Sequence, residues 1–163
     1  MPIPPSVTKT IKGNVTIVSS VDRCAYTIRE LTIAALRDMG KYVCITCNRA
    51  AQKLYHGSMQ HSKRVRGINK KKTFQYWARR QECDLQVGIA HDSWYGIQQE
   101  LGSSGNRNRG PSNMKKKGIL TGAVYDNIAE IIKIESQYLS ALEDEAEALA
   151  LISAAERDGG GEE

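Results

Sequence analysis

Residues 24–57 read CAYTIRELTIAALRDMGKYVCITCNRAAQKLYHG. Within them Ile28, Leu31, Ala35, Met39, Val43, Cys47, Ala50 and Leu54 follow one another at spacings of 3-4-4-4-4-3-4. That recurrence is the signature of one apolar stripe along an α-helix. Arg29, Arg37, Lys41, Arg49 and Lys53 fall mostly off the stripe. The stretch therefore predicts a long amphipathic helix with an apolar face to cover along its whole length. Ser19, Ser20 and Asp22 supply capping oxygens just ahead of it, and Gly57 is a stop signal. Gly40 lies mid-run, where a helix can kink.

The cover comes from what flanks this helix. In residues 83–90 (CDLQVGIA), Cys83, Leu85, Val87 and Ile89 alternate with Asp84, Gln86 and Gly88, the period of a strand with one buried face. Residues 73–79 (TFQYWAR) read as its partner across Arg80-Gln81-Glu82. Upstream, residues 8–18 (TKTIKGNVTIV) are rich in β-branched residues around Gly13-Asn14, which predicts a strand or a short hairpin. A Pro-rich arm precedes it. Asp92-Ser93 can cap a short helix over Trp94–Leu101, ended by Gly102. A second long helix is expected over 119–142, with Ile119, Ala123, Ile128, Ile131, Ile134, Tyr138 and Leu142 inward. Its pattern fades through Ala146, Leu149 and Ile152, and residues 156–163 read as a flexible tail. The expected class is α+β, with long amphipathic helices packed on one face of a small antiparallel β-sheet and with long basic loops. Its parts are an N-terminal arm and strand (1–23), an α+β domain (24–142) and an acidic, partly disordered tail (143–163).

The chain has 163 residues, 40% hydrophobic and 25% charged, values ordinary for a globular domain. No apolar run approaches the roughly 18–20 residues that span a bilayer. The start, Met1-Pro2-Ile3-Pro4-Pro5, does not read as a secretory signal. The net charge of +5 hides an asymmetry: residues 1–142 hold 22 Lys/Arg against 10 Asp/Glu, residues 143–163 one Arg against eight acids. A basic body with an acidic end points to charged partners, nucleic acid or protein.

Chemistry-bearing patterns are few. Cys44 and Cys47, with His56 and His61, make a C-x2-C-x8-H-x4-H run. Its spacing is short for a zinc finger, and its cysteines lie in mid-helix rather than on a hairpin. A redox pair needs the helix N-terminus to lower a thiol pKa, and Cys44 lies far from it. Cys24 and Cys83, among apolar neighbours, read as small core residues. The chain lacks a phosphate-cradling loop, HExxH and GxSxG. The expectation is a protein that is not an enzyme, with no metal and no cofactor.

The basic segments are the strongest physical signal. Lys63, Arg64, Arg66, Lys70, Lys71 and Lys72 crowd one loop, and Arg107, Arg109, Lys115, Lys116 and Lys117 another. On one side of the domain they would hold phosphates without reading sequence. Phe74, Tyr76, Trp77 and Trp94 could stack on bases. A core short of large residues favours packing them inside instead.

From Cys83 onward, CDLQVGIAHDSWYGIQQELGSS (83–104), a basic loop, and KKKGILTGAVYDNIAEIIKIESQYLSALEDE (115–145) resemble a family of head-to-tail joining proteins of long-tailed bacteriophages, the lambda Z-like neck or tail-completion proteins. The resemblance spans about residues 24–142. It rests on Trp94, Tyr95, Gly96, Glu100, Leu101 and Gly102, and on Ile119 and Leu120 after the basic loop. Ser103 stands where the family has Thr, Ile119-Leu120 where it has Phe-Leu, and Asn106–Pro111 enlarges the loop. The resemblance implies a structural virion protein of the neck, in the host cytoplasm during assembly. Such a protein forms a homo-oligomeric ring (a hexamer, or a dodecamer) that completes the tail and joins it to the DNA-filled head. Implied partners are head-closure and adaptor proteins, tail terminator and tail tube proteins, and double-stranded DNA passing without sequence readout, with no membrane. Under this reading the sheet and Trp94–Leu101 form subunit contacts, with Ile119 and Leu120 beside them. Loops 63–72 and 104–117 face the DNA channel or a neighbouring ring, and the acidic tail pairs with a basic surface. Two alternatives are a tail terminator capping the tube and, in another class, a basic nucleic-acid-binding regulator.

Overall fold

The computed structural model describes residues 3–11, 15–54, 73–93, 95–102 and 115–159. Its elements in chain order are β1 (Val7–Ile11), β2 (Val15–Ser19), α1 (Val21–Leu54), β3 (Phe74–Arg79), β4 (Asp84–Ile89), α2 (Tyr95–Leu101), α3 (Ile119–Tyr125), α4 (Ile128–Ser140) and α5 (Glu145–Gly159). Short 3-10 turns, His91–Ser93 and Ala141–Glu143, precede α2 and follow α4. Among these residues the fold is α+β: mostly helical, with two small antiparallel two-stranded sheets.

The 34-residue α1 is the spine. Its N-terminal half buries Leu31, Ala34 and Ala35 against Tyr138 of α4 and Ala148, Ile152 and Ala155 of α5. Its C-terminal half buries Val43, Cys44, Cys47 and Ala51 against Phe74 of β3 and Ile119 and Ala123 of α3. The expected stripe is the inner face from Leu31 to Cys47, but Ile28 and Leu54 at its ends are exposed. The helix runs through Gly40, whose role is close approach. A Cβ there would lie 2.5 Å from Tyr76 Cδ2 and 2.9 Å from Leu85 Cδ1, so only glycine lets the sheet sit against the helix.

β3 and β4 pair antiparallel from Phe74↔Ile89 to Arg79↔Asp84. Phe74 is buried and Tyr76 packs against the same cluster. Gln75 and Trp77, one residue out of phase, face away. Trp77 is therefore 65% exposed, which corrects the expectation that it fills the core. Arg79 closes the hairpin: its Nε donates to Asp84 Oδ1 at 2.6 Å, and it also pairs with Glu82. Arg80 reaches the buried carboxylate of Glu30 on α1, fastening the turn to the spine. Cys24 and Cys83 are exposed rather than core residues. Cys24 lies in the first turn of α1. Cys83 takes a left-handed φ of 49° in the β3–β4 turn, so its apolar neighbours in sequence do not surround it in space.

The helix expected over 119–142 is broken at Asp126-Asn127. The Asn127 amide donates to Ala123 O at 2.9 Å and accepts the Tyr42 hydroxyl at 3.1 Å, a side-chain alternative to the helical ladder. Ile128 and Leu142, expected inward, are exposed. The acidic tail continues as α5 through Gly159, where a flexible segment was expected from residue 156. It is held because Ala148, Ile152 and Ala155, on one face of the helix, cover α1. Glu145, Glu147, Glu156 and Arg157 are exposed, and Glu145 pairs with Arg23 at the start of α1.

Candidate functional site

The site is the junction between α2 and α3, where residues 95–102 and 118–120 meet. α2 ends at Leu101, and Gly102 takes a φ of 80°, the left-handed turn that glycine adopts freely. The described chain resumes at Lys115 alongside α2. The Lys117 N–H donates to Gln99 O at 2.9 Å and the Gly118 N–H to Glu100 O at 3.2 Å. Gly118, with a φ of 60°, then turns the chain into α3.

Glu100 closes this junction. Its Oε2 accepts the Ile119 N–H at 2.7 Å, and its Oε1 accepts those of Leu120 at 2.8 Å and Thr121 at 3.3 Å. The first N–H groups of a helix have no partner within it. α3 has no capping side chain of its own, since Gly118 holds the cap position. A carboxylate at the positive end of a helix, accepting three N–H bonds, offsets the cost of its own burial. Glu100 is only 5% exposed, and all three bonds are internal to the chain.

The structure thus sorts the motif residues. Gly96, Glu100 and Ile119 are buried within the subunit and hold it together, so they are not free for a neighbour. Tyr95 and Leu101 are exposed, Leu120 and Gly102 are half-buried, and Trp94 lies outside the described residues. Lys115, Lys116 and Lys117 are all exposed, immediately before the fixed turn at Gly118. Lys63, Arg64, Arg66, Lys70, Lys71, Lys72, Arg107 and Arg109 lie outside the described residues.

The internal role of Glu100 was missed from sequence. The available signal was a helix start, Gly118-Ile119-Leu120, with no Ser, Thr, Asp or Asn to cap it.

Ile119 and Ala123 of α3 pack on Cys44 and Cys47. Burial, and then the neighbouring Cys44, push the Cys47 thiol up to about 12. It stays a neutral thiol near neutral pH, the opposite of a reactive or metal-binding one. His56 and His61 lie outside the described residues. Among the described residues no three or more His, Cys, Asp or Glu side chains gather to hold a metal, and no helix is long and apolar enough to cross a membrane. Compared with known protein families, curated proteins and solved structures, the chain matches none of them.

Proposed function

We propose that the chain is a structural protein of a long-tailed phage neck, forming a ring that completes the tail and joins it to the DNA-filled head. The observation that carries this reading is the Glu100 junction. The segments on which the phage-like resemblance rests, Trp94–Gly102 and Gly118–Leu120, are far apart in sequence, yet one carboxylate ties them together. A ring component needs such a rigid base under its charged loops, because the loops must meet DNA or a neighbouring ring at a fixed position. Lys115–Lys117 leave this base exposed, suited to phosphates or to an acidic protein surface.

The test is electron microscopy of a lysate in which the gene carries an early stop codon. The expected result is filled heads beside separate tails of normal length. Overlong tails would move the protein to tail termination, and intact infectious virions would overturn the neck reading. As a site-level prediction, reversing the charge of Lys115, Lys116 and Lys117 together lowers the yield of joined particles. Normal infectivity of that triple variant would remove the lysines from the contact.

A further inference from the structure

Helix α4 and the turn after it carry two apolar stripes, and the subunit covers one of them. Ile131, Ile134 and Tyr138 pack into the two buried clusters. Ile128, Ile132, Leu139 and Leu142 stay 45%, 57%, 65% and 45% open to solvent. With Glu135 they follow at spacings of 4-3-4-3, the 3.5-residue period of a seam between packed helices. α1 runs antiparallel beside this stripe: Ile28 and Leu142 line one hollow at one end, and the Tyr42 hydroxyl donates to Asn127 Oδ1 toward the other. It has an open edge of its own, with Val21 70% and Ile28 51% exposed about two turns apart. Between the two helices lie open hollows of about 240 and 380 Å³, which share Ile28 and Leu142.

Six large apolar side chains on one face of a helix pair call for a second layer. Charge and area both fit a second copy of the chain. Among the described residues Glu135 is the only charged side chain lining the first hollow, and in the second Arg23 and Glu145 pair with each other. Such a face offers an acidic or a basic partner almost nothing to pair with, and it matches its own apolar copy. At the fractions exposed, the six side chains present about 600 Å² of apolar surface, against about 450 Å² of apolar area on each side of a standard-size interface. We propose that two copies close on each other through this face about a two-fold axis, α1 and α4 of each forming a four-helix bundle. The same patch of each copy meets the other, so the contact is used up at two copies. The inference goes beyond the neck reading, concerns the free chain, and does not depend on that reading.

The test is the mass of the purified full chain by light scattering on a sizing column, with that of two variants. The expected wild-type mass is twice 18.1 kDa. The double variant Ile132→Glu, Leu139→Glu should run as one copy. Its helical circular dichroism signal should be kept, because both side chains are exposed within one copy. Trp77→Glu, exposed on the β3–β4 sheet instead, should still run as two. A measurement that needs no variant is the wild-type melting temperature, which should rise with protein concentration. A monomeric wild type would leave the face to a different protein and overturns the inference, as does any other mass than two copies. A double variant that keeps the pair, a Trp77→Glu variant that loses it, or a melting temperature independent of concentration overturns it equally. The neck reading is decided separately by the particle assay, whose outcome does not move the mass measured here.

Discussion

Glu100 shows how one side chain can position an element distant in sequence. Its three accepted N–H bonds are charge-assisted and shielded, so their loss strands three donors and exposes the start of α3. Glu100→Ala is predicted to cost about 2–4 kcal/mol in urea unfolding, and Glu100→Gln, which keeps one oxygen, about half of that. Equal stability of wild type and Glu100→Ala would show that the junction is held by something else. Cys47 gives a pH prediction at the same scale. Its thiol pKa is raised from 9.0 to about 12 in the fold. The unfolded chain therefore releases this proton first, and stability falls as pH rises from about 9 toward 12, by up to about 1.4 kcal/mol for each pH unit. The contribution is fully present below pH 9. Cys47→Ala should flatten this part of the stability–pH curve, and a curve of unchanged slope would refute the assignment.

Among the elements, the contact of α1 with the β3–β4 hairpin depends on a missing side chain. In an isolated helix Gly40→Ala would gain about 0.5–1 kcal/mol. Here the added methyl meets the Tyr76 ring and Leu85 at under 3 Å, and overpacking of this kind costs about 1–3 kcal/mol. The predicted net effect is destabilisation. In a Tyr76→Ala background, where the ring clash is removed and only the flexible Leu85 Cδ1 at 2.9 Å remains, the same substitution costs less than it does in the wild type. Thermal melts of the two single variants and the double variant decide it, and additive losses would sink the close-approach account. The broken α3–α4 pair has a local cause of the same kind. Asn127 supplies hydrogen bonds that an uninterrupted helix would not need, and Tyr42 on α1 holds it in place.

At the scale of the whole molecule, two buried clusters share one helix without sharing a sheet. The first joins α1 to β3 and α3, the second joins it to α4 and α5. Removing contacts from one cluster should therefore open that end first. Ile152→Ala, on α5, is predicted to cost about 2–4 kcal/mol. In native-state hydrogen exchange it should lower the protection of α5 and of α1 around Leu31–Ala35, while β3, β4 and the second half of α1 keep theirs. Uniform loss along the whole chain would mean that α1 couples the clusters fully. The outer faces at this scale, Trp77 on the sheet, Leu139 on α4 and the hairpin, are apolar surface that one copy leaves uncovered.

Sequence alone determined what is local and periodic. The spine came from the 3-4 recurrence of residues 28–54, the second strand pair from the alternation of residues 83–90, and the end of the short helix from a closing glycine, because each depends on residues a few positions apart. The tertiary structure decided what depends on residues far apart. Trp77 and Phe74 carry similar signals in sequence, and register alone sends one out and the other in. The tail from Glu145 looks acidic and soluble, yet it is ordered by α1 because three of its residues share a face. Glu100 and Ile119 are separated by a basic, Gly- and Ser-rich loop with no apolar pattern, and their bond exists only once α2 and α3 are brought side by side. A helical or strand period reports which face a residue takes. What covers that face is a property of the packed chain.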